Sequence, residues 1–228
     1  DVCSSDLILD KNSFFEMSQK YGSSLITGLA RLDGHSVAIL ANDCTFYAGA
    51  MTSEDSLKLR RFIDFVNTFN IPVLSFVDEP GFMIGPDSEK AGTIRHGTSA
   101  ISAVMQSKVP WASIIVRKVF GVAGAAHFAP DGYVLSWPSA ETGTLPVEGG
   151  VAIAFRKEIE QAKDPDAKRK ELEKSLAKRA SPFPRSENFS VHEIIDPRET
   201  RSKLISWLEL SIKTRLTTRK KFKTTMRP

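Results

Sequence analysis

The chain has 228 residues, 41% of them hydrophobic, with 31 basic and 27 acidic side chains and a net charge of +4. That length and apolar content can bury a sizeable core and allow one or two domains, whereas no apolar run of about 18 residues calls for a membrane span and no basic start followed by an apolar centre reads as a signal peptide. The basic excess sits at one end: from Ser211 onward there are seven Lys or Arg and no acid, leaving the remainder at −3 (four minus seven), so the tail reads as a solvated end and no nucleic-acid surface is indicated in the core.

In chain order, Asp1-Val2-Cys3-Ser4-Ser5-Asp6-Leu7 reads like the translation of a sequencing-adapter end and is expected to be non-native, which leaves Cys3 without meaning. Segments 25–32 and 36–42 alternate apolar and small residues across Asp33-Gly34, which predicts a β-hairpin. Thr52 and Asp55 have capping-box spacing, and Leu59, Phe62, Ile63, Val66 and Phe69 recur at helical spacing, which predicts a helix over 53–69. An apolar strand over 73–77 follows and runs into Pro80-Gly81. A second helix over 93–107 is expected to bury Ile94, Gly97, Ile101 and Val104. Next come a strand over 111–116, a small-residue helix over 123–128, a strand over 133–137 and a helix over 147–162. A charged helix over 164–179 has only Leu172 and Leu176 as an apolar stripe, and Ser181-Pro182-Phe183-Pro184 ends it. A short strand or turn over 191–195 and a helix from Pro197 to Leu210 close the reading. Repeated strand-then-helix units need both sheet faces covered, so the class is α/β. Periodicity alone does not separate a doubly wound sheet from a spiral of ββα turns.

Three places carry residues suited to chemistry. Gly121-Val122-Ala123-Gly124-Ala125-Ala126 lies where a strand gives way to a helix. Free backbone N–H groups and the helix dipole there suit a developing oxyanion, and the small side chains also suit plain helix–sheet packing. Pro80-Gly81-Phe82 and the glycine-bracketed Gly92-Thr93-Ile94-Arg95-His96-Gly97 place turns and a helix start beside a pocket. Arg95 and His96 form a cationic pair at a helix start, which favours either an anionic group or a capping role. Asp78 and Glu79 could act as an acid–base pair, although Asp78 more readily fixes its loop by accepting backbone N–H groups; Glu141 reads as a cap. His35, His127 and His192 stand alone without ligand spacing, and Cys3 and Cys44 fit no disulfide or metal pattern, so no metal is expected and a reducing compartment is. No G-x-S-x-G, P-loop or G-x-G-x-x-G motif is present.

Phe76-Val77-Asp78-Glu79-Pro80-Gly81-Phe82-Met83-Ile84-Gly85 and Gly92-Thr93-Ile94-Arg95-His96-Gly97 closely resemble the VDxPGFxxG and GxIRHG signatures of the carboxyltransferase (β) subunits of biotin-dependent acyl-CoA carboxylases, of the propionyl-CoA carboxylase β-chain type. Gly28 to Asn42, Ala48-Gly49-Ala50-Met51, Phe69-Asn70-Ile71-Pro72, Arg117-Lys118-Val119-Phe120-Gly121 and Trp137-Pro138-Ser139-Ala140-Glu141 resemble further family stretches, in order. Together they correspond to the C-terminal half of such a subunit.

The resemblance implies a crotonase (ClpP-like) ββα spiral, with 8–24 as a remnant linker to an N-terminal half, 25–162 as the core, 163–210 as a helical arm and 211–228 as a basic tail. It implies carboxyl transfer from carboxybiotin, borne on a separate carrier domain, to the α-carbon of an acyl-CoA held by the N-terminal half. The family uses two oxyanion holes and lets biotin itself take the α-proton. Gly121, Val122, Ala123 and Gly124 match the biotin-side hole through their backbone, and Pro80, Gly81, Phe82, Arg95, His96, Gly97 and Ala125 match its surroundings. The family often reads G-G-A-Y-D where this chain has Gly121 to Ala125, so the acyl preference stays open. The implied partners are the acyl-CoA-binding half, a biotin carboxylase or carrier subunit, acyl-CoA and further copies of the chain, in the cytoplasm or the mitochondrial matrix; neither nucleic acid nor membrane is expected. A malonyl- or methylmalonyl-CoA-type decarboxylase subunit and a non-catalytic assembly partner on the same fold are the alternatives.

Overall fold

The computed structural model describes residues 7–217. Residues 1–6 of the segment read as non-native, Cys3 included, and most of the basic tail therefore lie outside the described residues. The elements run β1 (Phe15–Met17), β2 (Leu25–Leu32), β3 (His35–Asn42), α1 (Ser53–Phe69), β4 (Val73–Glu79), α2 (Pro86–Lys90), α3 (Thr93–Met105), β5 (Trp111–Phe120), a 3-10 turn (Val122–His127), β6 (Tyr133–Ser136), β7 (Glu141–Gly143), α4 (Val147–Ala154), α5 (Arg156–Glu160), α6 (Pro165–Ala180), α7 (Pro182–Glu187), β8 (Glu193–Ile194) and α8 (Thr200–Thr217).

Among the described residues the strands form one mixed sheet in the order β1-β2-β3-β4-β5-β6-β8, with β7 beside the far end of β5. The first three strands are antiparallel, β2 and β3 paired from Leu25↔Asn42 to Leu32↔His35 around the predicted turn. From β3 onward the pairing is parallel, and α1 and α3 provide two of the crossovers. Successive strand residues face opposite ways. Ala38, Leu40, Val73 and Trp111 accordingly meet Leu59, Ile63 and Val66 of α1 and Ala100, Ala103 and Val104 of α3. Val37, Ile39, Leu74 and Ala112 point to the other face, where Leu204 and Leu208 of α8 and Ile8 and Leu9 cover them.

Helix α1 starts where its capping box predicts: Thr52 Oγ1 accepts the Asp55 N–H and the Asp55 carboxyl accepts the Thr52 N–H. Asp55 also accepts the Ser24 hydroxyl from the base of β2, which anchors the helix start to the sheet. The stripe of α3 differs from expectation. Ile94 is 60% exposed, and the buried positions are Thr93, Gly97, Ser99, Ala100, Ala103 and Val104, because small residues let α3 approach its neighbours closely. Phe69, also expected inward, is exposed at the end of α1.

Strand β4 extends to Glu79 and β5 to Phe120, longer than predicted, and the added residues pair as Glu79↔Val119 past an irregularity at Val77. The single helix expected over 147–162 is two, broken at Phe155 (φ −114°, ψ 20°). Helix α6 begins at an Asp164 cap and stops before Pro182. Leu204 and Leu208, within the segment read as an arm, are fully buried against the sheet, so α8 is part of the core layer. Arg201 of α8 also bonds Asp10, whose carboxyl accepts the Asp33 and Gly34 N–H groups of the hairpin turn. No helix of the described residues is long and apolar enough to cross a membrane.

Candidate functional site

Two chain reversals at the same end of the sheet make the site. The first follows β4. Gly81 has φ 138°, a left-handed value that favours glycine. Its carbonyl accepts the Met51 N–H at 3.0 Å, and the Met83 N–H donates to the Met51 carbonyl at 2.9 Å, so the loop is stitched to the segment before α1. The Phe82 ring then lies on α3 over Gly97, where an added Cβ would fall 2.4 Å from the ring. This close approach is what Gly97 makes possible. Gly97→Val is expected to push the ring off the helix and lower stability by about 1–3 kcal/mol, as overpacking does, and adding Phe82→Ala should return part of that loss. Urea denaturation of Gly97→Val and of the double variant beside the parent checks it; a Gly97→Val protein as stable as the parent, or no recovery in the double variant, contradicts the packing described.

The second reversal follows β5. Gly121 sits at φ 65°, ψ −162°, a region open essentially to glycine alone. Its N–H donates to the Gly143 carbonyl of β7 at 3.0 Å, and its carbonyl is the one the i→i+3 pattern of the 3-10 turn assigns to the Gly124 N–H. Val122 and Ala123 are the first two residues of the turn, so no carbonyl one turn back exists for their N–H groups. Of the four residues expected from sequence, Val122 and Ala123 are thus the two whose N–H groups have no partner inside the turn. Val122 is 68% exposed, whereas Ala123 as a whole, backbone included, is buried at 1%. Behind the turn lies a cavity of about 260 Å³ bounded by Gly121, Gly124, Ala125, Thr142, Arg185 and Ser190.

The two reversals are joined underneath by buried polar groups. Glu79 Oε1 accepts the Gly81 N–H (3.1 Å), and Oε2 accepts Asn42 Nδ2 (3.0 Å) and faces His127 Nε2 (3.4 Å). His127 Nδ1 lies 3.0 Å from Ser75 Oγ, and both Glu79 and His127 side chains are 0% exposed. His127, read as a lone residue from sequence, is therefore paired. Its link to Glu79 spans 48 positions, which no spacing rule reveals; the available signal was that Ser75 and Glu79 share the inward phase of β4.

Asp78, one residue earlier, faces the opposite way. Its carboxyl takes the Lys118 N–H (3.0 Å), Arg117 Nε (2.9 Å) and Cys44 Sγ (3.1 Å), pinning β5 rather than its own loop. Burial, reinforced by the bond to Asp78, pushes the Cys44 thiol up to about 11, and the Asp78 charge holds the Arg117 guanidinium above its ordinary value. These groups rim a cavity of about 580 Å³ floored by Phe14, Ile26, Ile39, Phe76 and Trp137, on the face away from α1. Arg95 and His96 stand at the outer start of α3, 3.4 Å from each other, and among the described residues neither bonds to the 121–127 turn. His192 accepts the Val134 N–H, and Glu141 is a strand residue of β7 paired with Lys118 rather than a cap.

A family model described as "Carboxyl transferase domain" matches residues 6–226. The chain is 40% identical over 208 residues to the carboxyltransferase subunit of propionyl-CoA carboxylase from Haloferax mediterranei, covering 89% of this chain and 40% of that protein. It is 36% identical over 207 residues to the methylmalonyl-CoA carboxyltransferase 12S subunit of Propionibacterium freudenreichii subsp. shermanii, again covering 89% and 40%. The alpha subunit of methylmalonyl-CoA decarboxylase from Propionigenium modestum is 35% identical over 202 residues, which is 87% of this chain and 39% of that protein. A crystal structure of transcarboxylase 12S, described as a hexamer with methylmalonyl-coenzyme A and methylmalonic acid bound, superposes with a TM-score of 0.88 at 33% identity, over 100% of this chain and 44% of that one. The chain thus spans about 40% of the length of these curated relatives, and its fold is the expected crotonase-like one.

Proposed function

The chain belongs to the carboxyl transferase domain family, and on that premise we propose that it forms the biotin-side half of an enzyme that moves a carboxyl group between carrier-borne biotin and the α-carbon of an acyl-CoA. The observation that carries this reading is the backbone N–H of exposed Val122, with that of buried Ala123 directly behind it, at the start of a 3-10 turn that engages neither, beside a Gly121 N–H taken by Gly143. Carboxybiotin supplies the carboxyl group and, on giving it up, a ureido oxygen that gathers negative charge. The Val122 N–H, backed by that of Ala123, would meet that oxygen as a fixed dipole and so stabilise its charge without reorganisation during the reaction. Gly121 sets the direction of those dipoles through its backbone conformation. The Pro80–Phe82 loop and Ala125 shape the approach, and Gly97 lets Phe82 seat. Asp78 and Glu79 are engaged elsewhere, which agrees with a reaction in which no side chain of this half takes the α-proton.

The acyl-CoA is held by a second half of the subunit, the biotin by a carrier partner, and the assembled enzyme is a homo-oligomer; the hexameric 12S relative supports this. Its place is the cytoplasm, or the mitochondrial matrix, where relatives from mouse and human are named as mitochondrial. Likeness to the Propionigenium decarboxylase subunit supports a second direction, from acyl-CoA to biotin, through the same donors.

The test compares the chain alone with the chain joined to an acyl-CoA-binding half, following isotopic carboxyl exchange between a biotinylated carrier and acyl-CoA. Exchange is expected only in the joined protein. Turnover by the chain alone overturns the split site, and none from a folded joined protein overturns the assignment in favour of a non-catalytic assembly partner.

A further inference from the structure

We propose that the buried Glu79–His127 pair positions the donor turn, holding 122–127 against the Pro80–Gly81 loop so that the N–H groups at its start, that of exposed Val122 first, keep one direction. This rests on the function proposed above. Glu79 occupies the open position of the VDxPGFxxG signature, so the pairing is not a consequence of the signature residues themselves.

The geometry makes a rod pinned at both ends. A six-residue 3-10 segment rises about 2 Å per residue, and its first residue follows Gly121, fixed by the bond to Gly143. Its last residue, His127, is held four ways. The imidazole meets Glu79 on one side and Ser75 on the other, and the His127 carbonyl accepts Trp111 Nε1 (2.9 Å) and Ser113 Oγ (2.7 Å). With Nε2 donating to Glu79, Nδ1 is left to accept the Ser75 hydroxyl, so every polar atom of the ring is used.

The other Glu79 oxygen takes the Gly81 N–H, and Asn42, which shares Oε2, also donates to the Gly49 carbonyl and accepts the Asp78 N–H. One carboxyl group therefore touches both reversals. A well-packed apolar pair of similar volume could hold the fold at least as well, whereas only directional bonds fix the rotation of the rod about its axis, and that rotation aims Val122 and Ala123. Glu79 and His127 are positioning residues: neither is exposed to a ligand.

The experiment uses the joined protein with Glu79→Gln, His127→Gln and both. A misplacement of the donors by a fraction of an ångström should lower kcat roughly 10- to 100-fold, with KM for acyl-CoA within about twofold because that ligand is held elsewhere. The double variant should be no slower than the slower single one, since the two residues act as one device. Amide hydrogen exchange gives a readout independent of turnover: Glu79→Gln should speed exchange within 124–127, and His127→Gln within 81–83.

If the parent protein shows no carboxyl exchange, the proposed function fails, and the cross-segment amide exchange alone still decides the coupling. With an active parent, kcat within about twofold in both single variants, additive losses, or no exchange change in the opposite segment overturns the positioning role. Should Glu79→Gln not fold, Ser75→Ala releases only the far side of the imidazole. It should lower kcat by roughly 3- to 10-fold at unchanged KM; unchanged kcat there counts against the proposal in the same way.

Discussion

On the proposed function, Val122→Pro is expected to lower carboxyl transfer by at least about a hundredfold in the chain joined to an acyl-CoA-binding half, and to leave acyl-CoA affinity where it was. The substitution deletes one backbone donor and little else. Proline is accepted at the first residue of a helical turn, where its missing N–H had no intrahelical partner, and the preceding Gly121 has an extended ψ of −162°, compatible with a following proline. The native side chain is 68% exposed, so the ring meets solvent rather than core. Loss of a single such donor costs about 2.7–4 kcal/mol of transition-state stabilisation in other enzymes, or about 10²–10³ in kcat. Val122→Ala keeps the N–H and should keep the rate. Bulk at Ala123, by contrast, is a poor probe, because the whole residue is 1% exposed and a larger side chain overpacks the core before it obstructs a ligand. A Val122→Pro enzyme near the parental rate, or one whose acyl-CoA affinity falls in step with its rate, removes this turn from the biotin side.

Trp111→Ala should be the most damaging of the core truncations next to the site, at about 3–5 kcal/mol. The indole is 2% exposed at the start of β5, and its Nε1–H is shared between the His127 carbonyl and Ser113 Oγ. Truncation to alanine removes the packing against the α1–α3 layer and one of the two donors on His127. Trp111→Phe separates these effects. It keeps most of the ring volume and leaves the Ser113 hydroxyl on the same carbonyl at 2.7 Å, so it should cost about 1–2 kcal/mol, the range of one net hydrogen bond plus a small void. Equilibrium denaturation of both variants checks the ordering. Equal losses would mean that the hydrogen bond, not the packing, carries the indole's contribution.

Much of the scaffold was legible from local chemistry. Asp33-Gly34 marked the hairpin and Thr52 with Asp55 marked the start of α1, both appearing where turn and cap rules place them. Such features depend on residues within four positions of each other, and so they survive translation from sequence to structure. The short strands Phe15–Met17 and Glu141–Gly143 left no comparable trace, because three residues give no measurable alternation and exist only through their partners, β2 and β5. The inward face of α3 departs from expectation at Ile94 for a related reason: the helical period is a property of the segment, but which of its faces is buried depends on what packs there, and small residues are buried in place of the larger isoleucine.

The candidate site divides along the same line. Gly121, Gly81 and Gly97 were recognisable in sequence as places where a chain turns or approaches closely, and the structure supplies the reason for each in a positive φ or a ring 2.4 Å from an imagined Cβ. That the Gly121 N–H is engaged depends on β7, whose Gly143 carbonyl takes it. The bond between Glu79 and His127 likewise required β4 and the 3-10 turn to lie one above the other. Backbone conformation is settled by nearest neighbours along the chain, so the turns can be read from the residues alone. A hydrogen bond is settled by whatever else comes within about 3 Å, and that depends on how distant segments pack.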